Sequence, residues 1–365
     1  MMSNLLNIIF NYVDKQFTVY LTILMLFGLY LIGEAAGFDS NFFYKQCIFI
    51  ISGLFIYFLV SLTNVRTLYR FSFLLYLISI FLLMLTFFIG TEVNGSKRWL
   101  NLILFKFQTS ELIKITLPIF LIFIVENFKK KSETVVEFLI LSFTLIPFVL
   151  ILIQPDLGSS LIILFIGLII IFLNGLNIYK IISGIIVLLA TIPYAWFYVL
   201  KDYQKSRVLN LFDPFSNPLE SGYHSIQSSI AIGSGGLLGI ASEYGTQTDL
   251  LFLPETHTDF IFAVLAENYG FLGNLMYFVI AFLFISRLIK ITLDLHLHSN
   301  RLLAVTYVII FIVCFLINIA MVSGLFPIVG IPLPLTSYGG SSLFIYLIIF
   351  GLINALHNRK TLIAN

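Results

Sequence analysis

The chain has 365 residues, of which 59% are hydrophobic and only 10% are charged, and its formal net charge is +2. Its mean hydropathy is +1.03. An average soluble domain carries about 25% charged residues, so this composition excludes a soluble enzyme, a disordered chain and a nucleic-acid-binding protein, and it indicates an integral membrane protein.

Ten apolar segments are long enough to cross a bilayer as helices, which takes about 20 mostly apolar residues. They show no alternation of period two, so we expect one all-α membrane domain over 1–365, without strands. The first segment is too long for a signal-peptide core and should remain as an uncleaved anchor. The predicted spans are 17–36, 46–62, 71–90, 111–126, 137–153, 157–173, 181–200, 258–286, 302–324 and 335–356.

Basic residues are distributed unevenly between the loops. If both termini lie inside, twelve of the 20 Lys and Arg residues but only five of the 18 acidic residues fall in cytoplasmic segments. Because basic loops tend to stay in the cytoplasm, both termini are predicted there. The loops 91–110, 154–157, 201–257 and 325–336 then face outward, the third as a large extracytoplasmic loop between helices 7 and 8. Most of the unusual polar sequence lies in these loops, so we expect the chemistry on the outer face.

Several motifs do not occur in the sequence. It has no Walker loop, no Gly-rich dinucleotide turn and no HExxH, so we expect no nucleotide. Its two cysteines, Cys47 and Cys314, lie in apolar runs and cannot form a disulfide framework or a cysteine-based metal site. Any driving energy must therefore come from the substrate, an ion gradient or a partner.

The first outer loop combines two basic residues with an aromatic one. Lys97 and Arg98 suit a phosphate, Arg through its bidentate fork and Lys as a point charge. Trp99 begins a stretch to Phe107 that could lie in the membrane interface as an amphipathic segment. The alternative is that Arg98 and Trp99 only anchor the chain at the interface.

Three charged residues lie near predicted helix starts on the outer side. Glu111 and Lys114 are spaced i, i+3 and can pair on one helix face. Glu111, together with Ser110, could also merely cap its helix. Asp156 precedes Gly-Ser-Ser, where an N-cap belongs, so it either caps a helix or lines an outer cavity.

The large outer loop carries Arg207, His224 and Gln227 as candidate substrate-binding residues. A loop this long in a compact protein is usually functional. The stretch Tyr223–Ile232 can form a short helix across the mouth of the bundle, with flexible hinges over Gly233–Gly239.

The end of this loop offers two interpretations of Asp259. Thr256 and Asp259 match a capping box, which would make the carboxylate a structural cap. Alternatively, Asp259 lies one turn inside a membrane helix, beside His257 and facing a water-filled cavity. An ionisable residue there is costly, which favours a functional role.

A long irregular stretch follows near the end of the chain. Between Gly324 and Ser342, three prolines and four glycines interrupt the apolar pattern and flank Ser337 and Tyr338. Such backbone is tolerated at membrane depth only where protein or water satisfies it. We expect a re-entrant turn lining the same cavity, although transporters use broken helices in the same way.

Taken in order, these sequences resemble the SEDS family (shape, elongation, division and sporulation), and they resemble its rod-shape branch, RodA, more than its division branch, FtsW. The resemblance covers essentially the whole chain. One departure is Thr109, where the family usually has Pro, and we expect little effect from it. The residues that carry the resemblance are 97–100, 107–111, 154–158, 222–224, 245–247, 253–266, 321–324, 329–334 and 332–342.

The resemblance implies a peptidoglycan glycosyltransferase that polymerises lipid II into β-1,4-linked glycan strands during cell elongation, on the outer face of the bacterial cytoplasmic membrane. It implies a class B penicillin-binding protein, the crosslinking transpeptidase, and other elongation-complex proteins as partners. Asp259 matches the family's essential aspartate, which implies a general base. Lys97 and Arg98 become candidates for the pyrophosphate, with Mg²⁺ or Mn²⁺ as an expected aid.

Two other functions remain open at the sequence level. A lipid II flippase is compatible with the broken helix near 327–342, but the ionisable residues gather at outer helix ends and not along a path to the inside. A non-catalytic scaffold of the cell-wall machinery would leave the acidic residues of the outer loops unexplained.

Overall fold

The computed structural model describes residues 13–93, 96–101, 106–175, 178–216, 222–240 and 255–363. Helices make up most of this part of the chain. They are α1 Lys15–Ala36, α2 Asn41–Ser61, α3 Val65–Arg70, α4 Ser72–Ile89, α5 Thr109–Asn127, α6 Glu133–Ile153, α7 Leu157–Leu173, α8 Ile178–Tyr194, α9 Asp202–Phe212, α10 Tyr223–Ser234, α11 Ile261–Leu293, α12 His298–Val322 and α13 Gly340–Ile363. A π-helical segment at Ala195–Val199 extends α8, and a short 3₁₀ helix at Pro214–Ser216 follows α9.

Each of the ten predicted spans contains a helix. Among the described residues, eight helices are long and apolar enough to cross a membrane: α1, α2, α4, α6, α8, α11, α12 and α13. The other two predicted positions hold α5, whose first turns carry Glu111 and Lys114, and α7, which has 17 residues. The prediction of an apolar helical protein is therefore confirmed.

The expectation of a chain without strands was wrong in the first outer loop. There β1 Thr91–Val93, β2 Ser96–Asn101 and β3 Lys106–Gln108 form an antiparallel sheet in the order β1-β2-β3. The stretch that we expected to lie in the interface contains the second half of β2 and the first two residues of β3, while 102–105 lie outside the described residues. Strands of three to six residues are too short to show a period-two pattern, yet they pair the backbone groups of the loop.

Aromatic side chains hold four helices together in the core. Phe17 of α1 stacks on Phe284 of α11 with ring centroids 5.1 Å apart, and Phe284 meets Phe311 of α12 at 5.4 Å. Phe350 of α13 contacts all three rings. Such pairs contribute about 0.5–1.5 kcal/mol each beyond area burial, so this cluster fixes how α11, α12 and α13 meet. Other Phe side chains, such as Phe88 at 75% exposure, face outward as a lipid-facing surface would.

Helix α11 is broken at Gly270, where the backbone has φ 59° and ψ −154°. The segment 235–240 of the long loop pairs with the main chain freed by the break. Ile240 N–H donates to Glu267 O at 2.9 Å, and Phe271 N–H donates to Gly236 O at 2.9 Å. The loop is thus attached to the helix that follows Asp259.

Between α12 and α13 the chain runs from Ser323 to Gly339 without helix or strand. Its side chains Ile331, Leu333 and Leu335 are at most 5% exposed. The predicted irregular segment is confirmed, and protein groups satisfy part of its backbone, for example Ser337 Oγ, which accepts from Leu333 N–H at 2.8 Å.

Candidate functional site

Asp259 lies in the turn before α11 and not inside the helix. Residues 255–260 form consecutive turns, and α11 begins at Ile261 with no side-chain cap. Both the placement one turn inside a helix and the capping box were therefore wrong. Glu255 adopts a left-handed φ of 55°, and Thr258 Oγ1 donates to its carboxylate at 2.9 Å. Thr256, the predicted capping partner, is buried at 4% exposure.

The carboxylate of Asp259 occupies an electrostatically unfavourable position. Burial raises its pKa, as do the negative charges of Glu255 and Asp156, and Arg207 offsets them only in part, so the pKa reaches about 6. A Cβ atom on Gly330, which has φ 72°, would lie only 3.4 Å from Asp259 Oδ2. The absence of a side chain at Gly330 leaves space beside the carboxylate. A group with this pKa is mostly ionised at neutral pH and can still accept a proton readily.

Asp156 is the second acidic residue of the site, and its charge is well compensated. It is 5% exposed and caps α7 by accepting from Ser159 N–H at 3.2 Å, as predicted. Gln108 Nε2 donates to its other oxygen at 3.2 Å, and Arg98 Nη1 lies 3.9 Å from Oδ1. Its charge also acts on Asp259. The predicted cap is thus confirmed, and the same carboxylate acts electrostatically on Asp259.

Arg98 ties the small sheet to the start of α7. Besides its ion pair with Asp156, it donates to Gln154 O at 3.2 Å and to Pro155 O. Two of its five N–H groups thus donate to the protein, and 28% of the side chain is exposed. Lys97 is exposed in β2, opposite Glu92 of β1. Trp99, half-buried, lies opposite Gln108 of β3.

The predicted pair of Glu111 and Lys114 is confirmed. Lys114 Nζ donates to Glu111 Oε1 at 2.5 Å, and both side chains are at most 5% exposed. Glu111 Oε2 and the hydroxyl of Ser110 are buried without a hydrogen-bond partner. The Asp156 charge acts on Lys114, so the pair belongs to the same charged region, beneath its surface.

The short helix predicted over 223–232 is confirmed as α10, and it brings His224 next to the Asp259 turn. The His224 ring stacks on Phe260 with centroids 6.0 Å apart. Burial and the charge of Arg207 lower the pKa of His224 below its usual value, which favours the neutral imidazole. Its Nδ1 and the Oε1 of Gln227 are buried without a partner. Arg207 is exposed on α9, and its charge acts on both His224 and Asp259.

His257, Tyr338 and Ser337 form the edge of the site towards α2. Tyr338 N–H donates to His257 O at 2.8 Å, and the rings of His257 and Phe42 have their centroids 4.3 Å apart. Burial lowers the pKa of His257. The hydroxyl of Ser337 accepts from Leu333 N–H, so it holds the irregular segment together.

Three residues of the site escaped the sequence interpretation: Gln108, Asn318 and Gly330. Asn318 Nδ2 donates to Asp259 O at 2.9 Å and to Ile331 O at 2.7 Å. The sequence could have pointed to Asn318, because it is a single amide in the apolar run of α12 and buried polar groups in such helices need hydrogen-bond partners. Gly330 gave no signal by itself, because many glycines lie in the same stretch.

The donor set for a divalent cation is incomplete. Among the described residues, no three His, Cys, Asp or Glu side chains come together as metal ligands. The oxygens of Asp156 already accept hydrogen bonds from Ser159 N–H and Gln108 Nε2, and Arg98 forms an ion pair with one of them. These residues do not fit a metal held by protein ligands alone.

Known proteins resemble the chain over almost its full length. The peptidoglycan glycosyltransferase MrdB of Escherichia coli is 37% identical over 353 residues, covering 97% of this chain and 95% of that protein. MrdB of Helicobacter pylori is 38% identical over 329 residues, covering 86% and 82%.

Two solved structures share the fold. A chain solved in work on the structural coordination of polymerization and crosslinking by a peptidoglycan synthase complex has a TM-score of 0.81 at 29% identity, with 95% of this chain and 98% of that chain covered. RodA of Thermus thermophilus has a TM-score of 0.71 at 27% identity, with 94% and 96% covered. Residues 12–362 match the FtsW/RodA/SpoVE sequence family, described as cell cycle proteins. The chain therefore belongs to the FtsW/RodA/SpoVE family, which is the SEDS family.

Proposed function

We propose that Asp259 is the general base with which this chain, a peptidoglycan glycosyltransferase of cell elongation, polymerises lipid II. The observation that best supports this role is the partly buried carboxylate of Asp259, which has a pKa of about 6 and lies beside Gly330 and within the electrostatic field of Asp156 and Arg207. The activity named for the Escherichia coli and Helicobacter pylori relatives supports the reaction. The chain is a multi-pass protein of the bacterial cytoplasmic membrane.

The reaction needs one inverting displacement. The 4-hydroxyl of an acceptor sugar attacks the anomeric carbon of the donor, and its proton passes to an Asp259 oxygen as the new C–O bond forms. The bond from the anomeric carbon to the phosphate oxygen breaks, and undecaprenyl pyrophosphate leaves with the electron pair. This converts an α-linked donor into a β-1,4-linked product. A base whose pKa lies just below the working pH is suited to such a transfer.

Positive charge has to meet the departing pyrophosphate. Lys97 is the better candidate of the predicted pair, because it is exposed on β2, whereas Arg98 is largely engaged with Gln154, Pro155 and Asp156. We assign Arg98 the task of holding the sheet against α7. Any Mg²⁺ or Mn²⁺ would have to be bound in part by the pyrophosphate itself. Adding each ion back after treatment with a chelator tests that expectation.

We further propose that the single membrane domain has ten spans, with both termini in the cytoplasm. Support comes from a helix at every predicted position and from the twelve basic residues that this topology places inside. The sheet, α10 and Asp259 then share the outer face, where the sugar-phosphate part of lipid II is exposed. The lipid tails would enter sideways between helices.

A class B penicillin-binding protein is the partner we propose, together with other elongation-complex proteins. The synthase complex whose chain shares this fold couples polymerization with crosslinking, which supports that assignment.

The test is a polymerisation assay on the purified complex with the transpeptidase, using lipid II in detergent. Asp259→Asn should abolish glycan polymer, because an amide cannot accept the proton. The matched control is Asp294→Asn, an exposed residue at the other end of α11, which should polymerise like the wild type. Equal polymer from Asp259→Asn would overturn the assignment of the base. A folded wild-type complex without polymer would favour a flippase instead.

A further inference from the structure

Asn318 connects two irregular segments that meet at Asp259. It lies on α12 and is 0% exposed. Its Nδ2 donates to Asp259 O at 2.9 Å and to Ile331 O at 2.7 Å. Both acceptors are carbonyl oxygens, so the atom that faces them has to be the amide nitrogen. One side chain thus uses both amide hydrogens to hold two backbones.

The Asp259 carbonyl needs this partner because of where α11 starts. Ala263 N–H donates to Phe260 O at 2.9 Å, so this donor does not extend the helical ladder back to Asp259. Ile331 lies in the segment from Ser323 to Gly339, which has no helix or strand to supply a donor. Buried carbonyl groups without partners are costly, and Asn318 satisfies both at once.

The same contact controls the surroundings of the Asp259 carboxylate. Ile331 directly follows Gly330, and a Cβ on Gly330 would lie 3.4 Å from Asp259 Oδ2. Asn318 therefore holds the main chain that carries the carboxylate and the main chain that faces it. Neither segment has regular structure of its own to maintain that separation.

We propose that Asn318 is a positioning residue for glycosyl transfer, which sets the placement of the Asp259 carboxylate relative to the Gly330 backbone. It acts through Asp259 and does not itself contact the substrate. The inference rests on the proposed role of Asp259 as the base.

In the full complex with the transpeptidase, Asn318→Ala should lower kcat for lipid II about 100-fold, since a displacement of about 1 Å at a reacting group costs that much. The KM should change by less than about threefold, because substrate binding is not touched. The acidic limb of the pH–rate profile should move to lower pH, since the released turn lets water reach the carboxylate.

Asn354→Ala is the matched control. Asn354 is also buried, at 1% exposure, and also bridges two groups: it accepts from Asp14 N–H at 3.2 Å and donates to Ser61 Oγ at 3.3 Å. It lies on α13 away from Asp259, so its loss should lower stability and leave the acidic limb in place. If both variants give the same kcat and the same limb, Asn318 is merely structural and the inference is wrong.

If Asn318→Ala does not fold, Asn318→Gln takes its place, since it keeps both amide hydrogens but displaces them by one methylene. We expect a reduced kcat and a limb shifted in the same direction, and values equal to the wild type would overturn the inference. Failure of the proposed base has a different signature: Asp259→Asn would then polymerise normally. An inactive Asp259→Asn with an Asn318→Ala that matches its control would reject the positioning role alone.

Discussion

Asp156 and Asp259 differ in how their charges are compensated. Asp156 is matched by Ser159 N–H, Gln108 and Arg98. Burial and the neighbouring charges of Glu255 and Asp156 instead raise the pKa of Asp259 to about 6. Asp156 is thereby held by three partners, whereas Asp259 is ready to take up a proton, a difference set by their surroundings.

The ionised Asp259 should therefore cost stability at working pH. A folded pKa of about 6 against 3.8 unfolded means that the folded state binds the proton more tightly, so stability falls as pH rises between these values. The full penalty, up to about 3 kcal/mol, applies above pH 6. Asp259→Asn should thus unfold at a higher temperature than the wild type at pH 7.5, and the gain should vanish near pH 4. Thermal scans in detergent at both pH values measure this. An equal increase in unfolding temperature at both pH values would indicate that packing, and not the charge of Asp259, causes the stabilisation.

Among the elements, the broken helix α11 matters most for the site, because it joins Asp259 to the long outer loop. At Gly270 the φ of 59° is one that L side chains rarely adopt. An added Cβ would lie 2.4 Å from Gly239 N and 2.6 Å from Gly235 O. The break and the docked segment 235–240 thus require a glycine at this position.

Gly270→Ala should release segment 235–240 from α11 and reduce polymerisation more than the stability loss of a few kcal/mol alone would explain. Limited proteolysis of the outer loop together with the lipid II assay measures both effects. The control is Gly184→Ala in α8, where nothing lies within 4 Å of the added Cβ and a stabilisation of up to about 1 kcal/mol is expected. A Gly270→Ala loop as protease-resistant as the control's would contradict this interpretation.

The sequence predicted the helices well and the irregular elements less well, for physical reasons. Each span follows from a long apolar run, and α10 from a polar stretch of helical composition. The strands β1 to β3 depend on pairing between loop segments that no local pattern records. The true start of α11 depends on the turn at Glu255, and the coupling through Asn318 depends on contacts between residues 59 and 13 positions apart. Residue type and family resemblance were enough to single out Asp259, and the candidates His224 and His257 also lie beside it. Gln108, Asn318 and Gly330 required the structure, because their roles depend on contacts between distant segments.

For the whole molecule, the uneven distribution of the few charged residues is the basis of the proposed sidedness. The proposed topology places twelve of the 20 basic residues inside and 13 of the 18 acidic residues in outer segments and helix ends. A lipid-facing surface of exposed Phe, Ile and Leu surrounds the bundle, so the polar substrate groups and the apolar tails can be handled by one membrane domain.

Cysteine labelling tests this sidedness. In a background with Cys47 and Cys314 replaced by Ala, Asp202→Cys on α9 should react with a membrane-impermeant maleimide in intact spheroplasts. Lys130→Cys, in the loop after α5, should react only after permeabilisation. Both native side chains are well exposed, so the side of the membrane on which each cysteine lies, and not its burial in the protein, decides whether it is labelled. Labelling of Lys130→Cys in sealed spheroplasts would contradict the proposed topology.

The most direct test of the central claim is the pH dependence of lipid II polymerisation by the intact complex. If Asp259 is the base, the initial rate should rise about tenfold per pH unit below pH 6 and level off above it, because only the ionised carboxylate accepts the proton. Glu255→Gln should shift this limb to lower pH, since the charge that it removes raises the pKa of Asp259. A rate that stays constant from pH 4.5 to 7.5, in a complex that remains folded, would contradict the account.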